Sequence, residues 1–189
     1  MNPQFQNTLP PPPTKRPVSR FTPKIVLIVI GGIIALIIAI SLMVLSGGNS
    51  PTNQMQRLSA RFDSLQTILE SGRKNVQGAD LKKVHADAYI LIIGDAAQVN
   101  RAMTTAGLEK IPKDIIALEA DTATLATLAD AQLNGRFDTA YKKALSQKLE
   151  STMALMREID GKTNSTALKT SLSTAYDHFG GLLDQLAKL

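Results

Sequence analysis

His85 and His178 offer the most versatile chemistry in a chain that contains no cysteine and no tryptophan. In a helical protein an imidazole joins a di-iron site when a Glu three residues earlier puts its carboxylate on the same face. Lys82 stands three residues before His85 and Ala175 three before His178, so neither pairing exists. A looser set remains. Asp177 adjoins His178, and if the helix carrying Asp95 packs beside it, then Asp95, Asp177 and His178 form the candidate metal or small-ligand cluster. His85 and Asp87 fall on the polar side of their helix and read as solvated.

Nucleophilic chemistry finds less support. Ser165 and Ser171 belong to caps and loops, outside any Gly-x-Ser-x-Gly elbow, and phosphate-cradling glycine loops and metalloprotease helices are missing. Without cysteine there is no disulfide framework, thiolate metal site or thiol nucleophile. The expectation is a protein that is not an enzyme and has no cofactor. Asn164-Ser165-Thr166 fits a glycan acceptor, but the composition looks bacterial, where that modification is unusual.

Charge separates the chain into two parts. The 189 residues carry 21 Lys and Arg against 16 Asp and Glu, yet Lys15, Arg16, Arg20 and Lys24 all precede the first acid, Asp63. The remainder is nearly balanced, without the clustered basic face that nucleic acid requires, so no nucleic-acid partner is expected.

Between those cations and the balanced part lies IVLIVIGGIIALIIAISLMVL, residues 25–45, with no charge at any position. As a helix it extends roughly 31 Å, the thickness of a bilayer's hydrocarbon core. A transmembrane helix is predicted. A cleaved signal peptide fits less well, because the apolar run is long, 24 residues precede it and no Ala-x-Ala pattern follows Leu45. The four cations before the span hold the N-terminus in the cytoplasm and send the C-terminal part outside, giving a single-pass protein of the cytoplasmic membrane. Gly31, Ala35 and Ala39 line one face of the span, a stripe on which two copies could pair as a homo-oligomer. Residues 1–24, rich in proline, read as a disordered cytoplasmic tail in which Pro10 to Pro13 are an extended spacer or a docking peptide.

Residues 46–54 form a linker, and helical spacing dominates from residue 55 to the end. A first helix carries Met55, Leu58, Phe62, Leu65 and Leu69 and stops near Gly72. A second runs from about Ala79 to Ala106, and its apolar run Tyr89 to Ile93 predicts cover on several sides. A third extends from the Pro112 region to Asn134-Gly135, a fourth from Phe137 to Gly161, and a fifth follows a cap at Asn164 or Ser165. Helices of about 20 to 28 residues with short connections predict an all-α, up-and-down antiparallel bundle of four to five helices.

Within residues 106–145, a small-Gly-apolar turn, a proline opening the next helix and then Phe137-Asp138-x-x-Tyr141 form a compact pattern. It resembles the ferritin-like four-helix family of exported bacterial proteins of unknown function, often labelled outer membrane proteins. The resemblance covers about residues 81–187 and implies a ferritin-like bundle. It also implies histidines near the ends of the second, fourth and last helices. At those places this chain has Ala96 beside Asp95, then Leu149, and only His178 matches.

The combined expectation is a membrane-anchored helical bundle outside the cytoplasmic membrane, serving the bacterial cell envelope as an interaction or scaffold module with a protein partner there. A ferritin-like metal- or small-ligand-binding domain is one alternative. A signalling or assembly protein that uses the proline-rich tail is the other.

Overall fold

A computed structural model describes residues 50–189; the tail, the segment 25–45 and the Gly31, Ala35 and Ala39 stripe lie outside the described residues. The described part is all-helical: α1 (Pro51–Asn75), α2 (Ala79–Thr105), α3 (Lys113–Glu119), α4 (Thr122–Leu133), α5 (Phe137–Asp160) and α6 (Thr166–Ala187). Among these residues no helix is long and apolar enough to cross a membrane.

Local chemistry sets the ends of the helices. Ser50 accepts from the Asn53 N–H at 3.2 Å and Pro51 occupies the first turn of α1, where its missing N–H costs nothing. Ser165 caps α6 through the Leu168 N–H at 3.3 Å. Gly107 and Gly135, at φ +98° and +65°, close α2 and α4 in the left-handed conformation. The residue after each donates back to the helix, Leu108 to the Met103 carbonyl and Arg136 to the Ala131 carbonyl, both at 2.8 Å.

Four long helices enclose the core. α1 packs on α2 and α5, and α6 packs on the same two, so α1 and α6 face each other across one diagonal and α2 and α5 across the other. Phe62 and Phe179 meet edge to face on the first diagonal, ring centres 6.4 Å apart. His85 and Tyr141 meet on the second at 5.7 Å. Leu58, Leu65, Ile92, Leu145, Leu172 and Leu182 fill the layers between, all of them essentially without exposure. Burying a side chain of that size is worth about 1.5–3 kcal/mol, which is why this apolar stripe, more than helix propensity, fixes the bundle.

The connectivity differs from a plain up-and-down bundle. The start of α5 lies at the α1–α2 turn, where Asp138 bonds the Gln77 and Gly78 N–H groups, and its end lies at the start of α1, where Gln54 bonds Glu158 at 2.7 Å. Since α1 and α2 are joined by a three-residue turn, α2 and α5 run in the same direction, and residues 106–136 cross from one end of the bundle to the other. All neighbouring long helices are antiparallel, with one long crossover.

That crossover is also where the expected third helix breaks. Asp121 sits at φ 52°, ending α3 and capping α4 with its own carboxylate, so the two pieces have 7 and 12 residues. The break lets the chain turn from α1, on which α3 packs, toward α5, on which α4 packs. Because the crossover covers α1 and α5, α2 has long helices only beside α1 and α6. The expected cover on several sides of Tyr89 to Ile93 is therefore incomplete, and Ile90 is 72% exposed.

Candidate functional site

The compact motif Phe137-Asp138-x-x-Tyr141 closes the end of the bundle where α1 turns into α2. Phe137 and Tyr141, one helical turn apart, stack at 5.7 Å with their planes 13° from parallel. Asp138 reaches to the neighbouring turn and accepts from Gln77 N–H at 3.0 Å and Gly78 N–H at 2.7 Å. These bonds hold the turn that leads into α2, whose N-cap residue, Gly78, has no side chain to offer.

Tyr141 is fully buried, and its hydroxyl lies 2.7 Å from His85 Nδ1. Burial pushes the Tyr141 hydroxyl well above its ordinary range, and burial also lowers the His85 imidazole, against a smaller upward pull from Glu70 and a further lowering by Arg73. Both groups are neutral as a result. They share one hydrogen bond whose donor is set by the imidazole tautomer, since a phenol can either give or accept a proton toward Nδ1. The neighbouring backbone is fitted to this pair: a Cβ at Gly72 would overlap the Tyr141 ring. Tyr89, tilted against His85 at 6.2 Å, continues the cluster outward and donates to Glu70 at 2.8 Å, while Glu70 holds Arg73. His85 is therefore buried, in contrast to the solvated position expected beside Asp87, which is exposed. Leu81, His85, Ala88 and Ile92 share one inward stripe, so the imidazole occupies a core position that a polar residue type disguised.

The second candidate lies midway along the α2–α6 contact. Asp95 is 5% exposed, and both its oxygens are 3.0 Å from Nδ1 of the half-exposed His178. Burial raises the Asp95 carboxyl, and the hydrogen bond and charge of His178 oppose that rise. Asp177 is exposed and makes no hydrogen bond or ion pair, so the structure brings together two members of the proposed trio. Among the described residues there is no group of three or more His, Asp or Glu side chains able to hold a metal. Two protein ligands fall short of the three or four of an ordinary transition-metal site.

Sequence reasoning missed a third constellation, which fastens the crossover. Glu119, 5% exposed, bonds Arg57 Nε at 2.8 Å and Arg61 Nε at 2.8 Å, clamping α3 to α1. Burial would raise the Glu119 carboxyl, but the hydrogen bonds and charges of Arg61 and Arg57 prevail and hold it below its ordinary value. Arg61 continues to the Ser151 carbonyl at 2.8 Å, and Lys148 bonds Asp121 at 3.1 Å. The signal for it in sequence was the i, i+4 pair Arg57 and Arg61 on one face of α1. Chemically, all three constellations hold helices to one another. A scan against protein-family models, a search of curated proteins and a search of solved structures return no match to this chain.

Proposed function

We propose that the chain is a single-pass membrane protein of the bacterial cell envelope whose helical bundle acts outside the cytoplasmic membrane as a non-enzymatic interaction or scaffold module. The observation that carries this reading is the uncharged segment 25–45 with four cations on its N-terminal side and none on its C-terminal side before Arg57. The bundle is in keeping with it. Its polar groups Tyr141, His85, Asp138 and Glu119 are committed to bonds between separate parts of the bundle, as in a part built to keep its shape. The single long crossover, with all neighbours antiparallel, is the connectivity of ferritin-like bundles and supports the ferritin-like reading of the fold. Crosslinking in living cells, with one photo-reactive residue placed at Ile90 or Leu133 on the exposed surface, tests the scaffold role. A discrete protein adduct dependent on that position supports it, and adducts to lipid alone count against it.

The metal-binding alternative rests on the Asp95 and His178 pair. Elemental measurement on protein purified without chelator decides it: a near-stoichiometric metal lost on Asp95→Asn favours that reading, and a metal content unaffected by the substitution removes it.

A further inference from the structure

We infer that the cleft between the end of α5 and the first half of α6 binds a phosphate-type oxyanion, with Arg157 as its principal donor and Lys169 as a second cation. The cleft has a volume of about 500 Å³ and runs from Arg157 and Asp160 on α5 to Lys169, Ser173 and Tyr176 on α6.

Arg157 stands apart from the other described arginines. Arg57 and Arg61 hold Glu119, Arg73 holds Glu70, Arg136 holds Asp130, and Arg101 bonds the Ala97 carbonyl at 3.2 Å. Arg157 has neither a carboxylate nor a carbonyl; its contact is the Tyr176 ring, 4.7 Å from the guanidinium carbon to the ring centre. Its N–H groups are therefore open to an incoming acceptor. The planar guanidinium fork matches two oxygens of a phosphate, and the Tyr176 ring 4.7 Å away restricts how far the side chain can wander before an anion arrives. Lys169 is exposed and also lacks a partner among the described residues, whereas Asp160 is the only acid in the lining. Two cations against one carboxylate leave the cleft positive. The buried side chains of Met156 and Leu172 form its floor, and an apolar wall on one side strengthens attraction to an anion.

The oxyanion has two sources, free phosphate or a phospholipid headgroup. The second rests on the anchored reading proposed above: the Gln54 to Glu158 bond puts the cleft's end of α5 beside the start of α1, at which the chain enters the bundle.

The test uses the full chain in neutral detergent, titrated calorimetrically with inorganic phosphate, and separately the full chain in phosphatidylcholine nanodiscs with or without phosphatidylglycerol, read by thermal midpoint. Arg157→Gln should weaken phosphate binding by about tenfold or more, the loss of one charge-assisted fork, and should abolish the added thermal protection from phosphatidylglycerol if the headgroup is the source. Lys169→Glu, at an exposed site, should weaken both in a protein that melts like the parent, and it preserves the test if Arg157→Gln folds poorly. Phosphate binding sensitive to these residues without a lipid response establishes the site and assigns it to free phosphate. Binding of neither probe, or binding equal in parent and both variants, overturns the inference. Membrane anchoring is read by a different assay, described below, so the two ideas fail separately.

Discussion

The Tyr141 hydroxyl and His85 Nδ1 share a hydrogen bond of 2.7 Å inside the bundle near the α1–α2 turn, joining α5 to α2 along the diagonal on which the two helices are not neighbours. Removing the hydroxyl alone leaves a buried imidazole nitrogen without its hydrogen-bond partner. Tyr141→Phe should therefore cost about 1–3 kcal/mol, measured by denaturant unfolding, although the ring still fills its place. Gly72→Ala should cost at least as much by the opposite route, because its methyl group forces the ring aside.

The same pair makes stability depend on pH. His85 has its affinity for protons lowered by burial from the ordinary value of 6.5, so below that value the unfolded chain binds a proton that the folded chain refuses. Stability from this source is complete above pH 6.5 and declines as pH falls through the folded value. Asp95, with a carboxyl raised by burial, acts with the opposite sign, so acidification through its folded value adds stability. Thermal midpoints of the parent should fall as pH drops below about 6.5, whereas His85→Asn should show a flatter profile. Parallel profiles would mean that the imidazole charges without disturbing the fold.

Asp138 should matter because it fastens the α1–α2 turn from another helix. Asp138→Ala deprives the Gln77 and Gly78 N–H groups of their acceptor and should cost about 1–3 kcal/mol. Amide exchange should speed up at the first turn of α2, while Leu149, in the middle of α5, should be affected only through global unfolding.

Glu119 tests the fastening of the crossover. Glu119→Gln keeps the shape and removes the charge between Arg57 and Arg61, whose side chains are 33% and 12% exposed. With that exposure the loss should be about 1–3 kcal/mol, less than for a fully buried pair. Exchange at α3 amides should accelerate first, because α3 has only 7 residues and packs chiefly on α1.

The long helices were legible in sequence because each carries an unbroken stripe at helical spacing and a capping residue, as at Ser165, or a stop glycine, as at Gly107. Two features escaped that pattern. The break at Asp121 depends on a left-handed backbone at a residue that is equally acceptable within a helix, so spacing continued across it. The buried position of His85 was concealed by its polarity, although Leu81, His85, Ala88 and Ile92 step inward together; Asp95, between Ile92 and Val99, continues the same stripe. Periodicity alone would have placed both side chains inside. The tertiary bonds of Asp138 and Glu119 connect residues 58 or more positions apart, and local pattern does not encode which partner a carboxylate finds.

The central claim concerns the uncharged segment 25–45, and protease added to intact spheroplasts tests it most directly. The account predicts that a C-terminal tag is digested while an N-terminal tag is spared until the membrane is opened, and that the mature chain retains residues 25–45. A C-terminal tag protected in intact spheroplasts, or a mature protein whose first residue lies beyond Leu45, would contradict it.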